Sequence, residues 1–294
     1  MATVVFFHAH PDDEALATAG TMIKMSAAGH RVLLVLATRG EEGEPVPGVL
    51  SDGEELGERR SQEVQAAADL LGVARVAFLD YRDSGMIGSP SSENPACFWQ
   101  AEESEAVDRL DVLLADEAVD LLVAYDPHGG YGHPDHIQVH RVGTRWAAEH
   151  GVRLRWVTMN RDIVRSVVAE AMGEVSEVGQ EPDVDLAKRS ERLTDDLFGL
   201  PDAEITHGIV VTEVLERKRA AIAAHASQVA PDSFFLAPLD ARYEAAFGTE
   251  KTISIPKLSS CPDCNGSGCQ DGSRPETCSH CQGTGQYIQS QGFF

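Results

Sequence analysis

The sequence predicts an α/β fold built on a Rossmann-like parallel sheet with helices on both faces. Three observations carry it. Short apolar runs without polar alternation recur along the first half of the chain, stretches of helical length separate them, and each run ends in a loop dense in His, Asp and Glu. Continuous apolar strands alternating with helices belong to a sheet covered on both sides.

The elements follow in order. Val4–Phe7 is the first strand, and after a polar turn the stretch from Ala15 to Ala28 suits a helix. Val32–Thr38 is the second strand, followed by a helix near Gly57–Leu71 that ends at Gly72. Val76–Asp80 is the third strand, Ala106–Ala115 a helix, and Leu121–Tyr125 the fourth strand. Ligands of such sheets bind beyond the carboxyl ends of the strands. There the chain carries HAHPDDE (His8–Glu14), TRGEEGE (Thr38–Glu44), YRDSGM (Tyr81–Met86) and DPHGGYGHPDH (Asp126–His136). An acidic excursion from Asp162 to about Ile205 is expected to cover the site, and a helix follows at Glu213–His225.

Composition narrows the function. Of 294 residues, 43% are hydrophobic and 24% charged, which are ordinary globular values. Lys and Arg total 24 against 47 Asp and Glu, so a formal charge of -23 disfavours nucleic acid and anionic lipid as partners. The start lacks the basic and small-residue pattern of a signal peptide, and no apolar run reaches the roughly 18 residues of a membrane span. A cytoplasmic protein acting on a small molecule is expected, with the oligomeric state left open.

The chemistry sits in two clusters. In HPDD, His10 and Asp13 lie three residues apart on a turn into a helix, within reach of one cation, and nitrogen and oxygen ligands of this kind suit zinc or ferrous iron. Asp12 points elsewhere and is free to act as general base. HPDH supplies a third ligand from His133 or His136. Tyr131 and His133 are candidate donors to an oxyanion. His133 is also a candidate acid, with Asp135 expected to fix its ring and raise its pKa. Either cluster alone reads equally well as a helix start. Two of them, each directly after an apolar strand, favour a metal-assisted hydrolase.

Taken together, HAHPDDE, GEEGE, RDSGM and YDPHGGYGHPDH resemble the LmbE or PIG-L family of metal-dependent deacetylases over residues 3–245. The mycothiol branch is the most similar. The resemblance implies hydrolysis of an N-acyl group, acetyl foremost, from a glucosaminyl conjugate, with mycothiol S-conjugate amidase activity as the alternative. It implies His10, Asp13 and His136 as metal ligands, Asp12 as base, and His133, Asp135 and Tyr131 as its partners. Glu44, Arg60 and Asp83 match positions that contact sugar or inositol hydroxyls. HASQ at His225–Gln228 also resembles a family motif, without an assigned role.

Five of the six cysteines fall in the last 34 residues. Cys261, Cys264, Cys278 and Cys281 form two CxxCxGxG copies, a pattern that suits a second, structural zinc. This segment resembles part of the cysteine-rich region of DnaJ-type cochaperones, which has four such copies. The division expected is therefore a deacetylase body at 1–245 and a zinc-binding segment at 246–294, with a zinc-binding, chaperone-like interaction protein as the reading from another class.

Overall fold

The computed structural model describes residues 1–166, 168–169, 195–196 and 198–255, with the backbone of two short paired strands at Leu258–Ser260 and Gln286–Ile288. The predicted strands are present as β1 (Thr3–His8), β2 (Arg31–Leu36), β3 (Arg75–Phe78) and β4 (Val119–Tyr125). Three more, β5 (Arg153–Thr158), β6 (His207–Val210) and β7 (Thr249–Ile255), complete a seven-stranded sheet in the order β3-β2-β1-β4-β5-β7-β6. All pairs from β3 to β5 are parallel, while β7 runs antiparallel to β5 and β6.

Among the described residues, besides helical residues at 161–166, the helices include α1 (Asp13–Ala17), α2 (Ala19–Ala27), α3 (Leu56–Leu71), α4 (Glu103–Leu114), the short α5 (Gly129–Gly132), α6 (Pro134–His150), α7 (Leu215–Ala224) and α8 (Ala241–Phe247). From β1 the chain winds outward through β2 to β3, and from β4 it winds the opposite way to β5. Right-handed crossovers therefore place α2 and α3 on one face and α4 and α6 on the other. The direction reverses between β1 and β4, which is where such sheets open a crevice at their carboxyl edge.

The helix expected over Ala15–Ala28 is broken. Thr18 takes a non-helical φ of -135° between α1 and α2, and its hydroxyl is bonded on both sides, donating to Glu14 O at 3.3 Å and lying 2.8 Å from His8 Nε2. A buried strand histidine thus competes for the turn. By contrast α3 runs as predicted, with Val64, Ala67, Ala68 and Leu71 on its buried face and Gly72 closing it at φ 74°.

The division expected after residue 245 cuts through this architecture. KTISI, assigned above to the cysteine-rich segment, lies within β7 and is hydrogen-bonded into the sheet between β5 and β6. From β7, Glu250 reaches back across the fold. Its carboxylate accepts the N–H groups of Gly20 and Thr21 at 2.8 and 2.9 Å and pairs with Lys218 Nζ at 2.7 Å, both charged side chains being buried. Glu250→Ala is expected to destabilise the fold by about 3–5 kcal/mol, because it strands the buried Lys218 ammonium. A chemical-denaturation midpoint measures this; an unchanged midpoint would mean that β7 is not part of the folded body.

Cys261, Cys264, Cys278 and Cys281 lie outside the described residues, as does most of the excursion proposed to cover the site. Among the described residues no helix is long and apolar enough to cross a membrane.

Candidate metal centre

The loops after β1 and β4 meet at the reversal point. In the first, Asp12 precedes α1 with φ 115° and ψ -31°, one of two non-glycine residues with positive φ among those described. Such a backbone costs on the order of 1–3 kcal/mol and persists only when its surroundings enforce it. Its carbonyl accepts from Ala15 and Leu16, and its N–H donates to Glu14 Oε2 at 3.0 Å. In the second loop His133 caps α6, its Nδ1 accepting the Asp135 N–H at 3.2 Å, and Pro134 fills the first helical position. That turn lifts His136 toward Asp13.

The donor atoms match a tetrahedral ion. Asp13 Oδ2 lies 3.5 Å from His10 Nδ1 and 3.3 Å from His136 Nε2. The edge of a tetrahedron with bonds of 2.0–2.1 Å is roughly 3.4 Å. The far ring nitrogens are held as metal-binding histidines usually are, by carboxylates and a carbonyl. His136 Nδ1 lies 3.1 Å from Gly129 O, and His10 Nε2 lies 3.1 Å from Asp135 Oδ2 and 3.4 Å from Asp83 Oδ1. Gly129 is needed at this point. Its φ is 61°, and a Cβ there would sit 2.6 Å from His136 Cβ and 2.8 Å from the Ile137 backbone nitrogen. The imidazole nitrogens of His10, His133 and His136 also converge within 4.8 Å of one another, so both clusters face one point.

Electrostatics follow from this crowding. Burial opposes ionisation of Asp13, but His136 and His10 outweigh it and hold the carboxyl well below its usual range. Burial likewise disfavours charge on His10, yet Asp83, Asp13 and Asp135 raise it well above an ordinary histidine. These residues fit a divalent cation, whose charge would take the place of the imidazole protons.

Asp12 behaves differently from its neighbour. Burial raises it to about 6, although Arg60 pulls the other way. The guanidinium of Arg60 comes from α3, is only 3% exposed, and lies 3.2 Å from Asp12 Oδ2 while donating to the carbonyls of Gly40 (2.7 Å) and Pro11. Arg60 thus braces Asp12 and the two loops beside it. Asp83 is buried, accepting N–H groups from Gly85 at 2.8 Å and Glu42 at 3.2 Å. Glu44 stands exposed on the loop after β2.

The pairing expected between the Asp135 carboxylate and His133 is not formed. Because Asp135 follows the helix cap, it presents its backbone N–H to the ring. Its carboxylate turns to Ser84, accepting from the backbone N–H at 3.0 Å and from the hydroxyl, and to His10. Burial and the adjacent His10 and His136 then lower His133 to about 2, the reverse of the expected direction. With Nδ1 accepting, the neutral ring carries its proton on Nε2 and is a hydrogen-bond donor. Tyr131 is 46% exposed at the mouth, its hydroxyl 3.4 Å from His136 Nε2.

Three supports escaped sequence reasoning. Tyr125 stacks on His136 with centroids 4.3 Å apart, and its hydroxyl lies 2.8 Å from His8 Nδ1. Asp126 Oδ1 accepts the N–H groups of His128 and Gly130, shaping the loop that carries Tyr131. From the HASQ segment, His225 pairs with Glu14 at 2.6 Å, and Ser227 donates its N–H and hydroxyl to Glu63. HASQ was the available signal for the last of these, and the YDPHGGYGHPDH motif for the other two.

Residues 5–147 match the family described as PIG-L: GlcNAc-PI de-N-acetylase. A relative from Acidothermus cellulolyticus, named 1D-myo-inositol 2-acetamido-2-deoxy-alpha-D-glucopyranoside deacetylase, is 38% identical over 271 residues, covering 86% of this chain and 88% of its own. One of the same name from Thermomonospora curvata is 39% identical over 269 residues, covering 84% and 88%. Among solved structures, N,N'-diacetylchitobiose deacetylase from Pyrococcus horikoshii, complexed with its inhibitor MPG, superposes with a TM-score of 0.54 at 22% identity, covering 87% of this chain and 84% of that one, and so shares the fold.

Proposed function

The chain belongs to the PIG-L family of GlcNAc-PI de-N-acetylases, and from that premise we propose that it hydrolyses the N-acetyl group of a glucosaminyl–inositol conjugate, releasing acetate and a free amine. The observation that carries the reading is the convergence of His10, Asp13 and His136 at tetrahedral spacing, in a chain whose deacetylase relatives it matches over most of their length.

His10, Asp13 and His136 would hold a zinc or ferrous ion, which when bound would supply Lewis acidity toward the amide carbonyl and the attacking water. Asp12 takes the proton of the attacking water. Its raised pKa and its single guanidinium neighbour leave it basic enough to do so near neutral pH. As the water oxygen adds to the acetyl carbon, the Nε2–H of His133 and the hydroxyl of Tyr131 donate to the charge that develops on the carbonyl oxygen. The C–N bond then breaks, and Asp12 returns its proton to the departing amine. Asp135, turned away from His133, steadies His10 instead. Asp83 and the exposed Glu44 offer carboxylates to sugar or inositol hydroxyls, while Arg60 fixes the base.

Release of the free glucosaminyl amine from N-acetylglucosaminyl-inositol, free N-acetylglucosamine and a mycothiol S-conjugate tests the assignment. The inositol conjugate is expected to exceed the free sugar in kcat/KM by at least about 100-fold, since bound hydroxyls contribute to transition-state binding. Faster cleavage of the S-conjugate would replace this reading with that of an amidase.

A further inference from the structure

We propose that Glu14 and His225 form a buried positioning pair that holds the general base Asp12 in its working conformation; this rests on the deacetylase reading above. Neither residue touches the donor atoms of the metal centre. Both are fully buried, and they lie 211 positions apart in the chain, so the fold itself brings α7 against the start of α1 to join them.

The two oxygens of Glu14 divide the work. Oε1 receives His225 Nε2 at 2.6 Å, and Oε2 accepts the Asp12 N–H at 3.0 Å. That N–H belongs to the one residue of the loop with a strained backbone, φ 115°. The contact is made with Asp12 in that strained conformation, and it helps to hold the residue there. Arg60 holds the same residue from the other end, 3.2 Å from Oδ2. Asp12 is thereby fixed at its backbone by Glu14 and at its carboxylate by Arg60. Its neighbour Asp13 stays turned toward His10 and His136, and two adjacent carboxylates keep separate roles. His225 is the anchor: without it, Glu14 is an unpaired buried carboxylate free to turn from Asp12. A second link keeps the anchor in place, because Ser227, two residues on, is tied to Glu63 of α3 through its N–H at 2.9 Å and its hydroxyl at 2.6 Å.

The test uses metal-loaded full chain and the glucosaminyl–inositol substrate. Glu14→Ala is expected to lower kcat by about 100-fold, as a misplaced catalytic group does, with KM within about three-fold and metal content unchanged. Glu14→Gln is expected to recover kcat to within about ten-fold of wild type, because its amide oxygen still accepts the Asp12 N–H. His225→Gln relaxes only the anchor and is expected to cost about ten-fold in kcat at constant KM. If Glu14→Ala does not fold, the His225→Gln result decides alone. Unchanged kcat in a folded, metal-loaded Glu14→Ala, a change confined to KM or metal content, or a Gln variant as slow as the Ala variant would overturn the proposal. Inactive wild-type protein would instead overturn the deacetylase reading on which it stands.

Discussion

His136→Ala is expected to reduce acetate release by at least about 1,000-fold, to the level of metal-stripped protein. The residue is one of the three donors proposed to hold the ion. Its ring stacks on Tyr125 at 4.3 Å, its Nδ1 is oriented by Gly129 O, and its Nε2 faces Asp13 Oδ2 at 3.3 Å. Alanine removes the third donor and leaves His10 and Asp13 to hold the ion alone. Weaker orienting contacts typically change affinity by about 10–100-fold, so loss of a direct ligand should exceed that range. Metal analysis by mass spectrometry, run beside the assay, checks it. Full metal occupancy in an inactive variant would relocate the ion to the neighbouring His10, Asp83 and Asp135 side chains.

Asp12→Asn should lower kcat by about 10²–10⁴-fold while the protein keeps its metal, because the amide preserves shape and lacks a basic oxygen. The pH profile adds a sign. Burial raises the Asp12 pKa to about 6, so the carboxylate needed as base predominates above that value and is lost as pH falls through it. The wild-type rate should therefore decline on the acid side, approaching ten-fold per unit below about pH 6, and that limb should vanish in the Asn variant. A rate insensitive to Asp12→Asn would assign the base elsewhere.

The legible parts of the fold are those whose physics is local. Strands β1 and β2 and the second half of β4 are buried and read as apolar runs, and the HPDD spacing brings His10 and Asp13 within reach of one cation, whereas the choice of His136 over His133 came from the family resemblance. β7 gave no such signal. Its TEKTISI opens with four polar residues, it pairs antiparallel, and its Glu250 is buried only because Lys218 and the Gly20 and Thr21 N–H groups come to meet it. Within the site, His10, Asp13 and His136 converge as the motifs implied. The role of Asp135 was misjudged because sequence adjacency to His133 conceals which group of the residue, carboxylate or N–H, faces the ring. A helix-borne arginine beside a polar loop does not reveal in sequence that the Arg60 guanidinium is buried against Asp12. The pairing of Glu14 with His225 spans most of the chain, so no window of sequence contains it.

The most direct test of the account is acetate release from N-acetylglucosaminyl-inositol by chelator-stripped protein before and after addition of zinc or ferrous iron. Activity absent after stripping and restored by metal in the wild type, yet not restored in His136→Ala, is the predicted result. Acetate release that persists without metal, or that His136→Ala retains, would contradict a centre built on His10, Asp13 and His136.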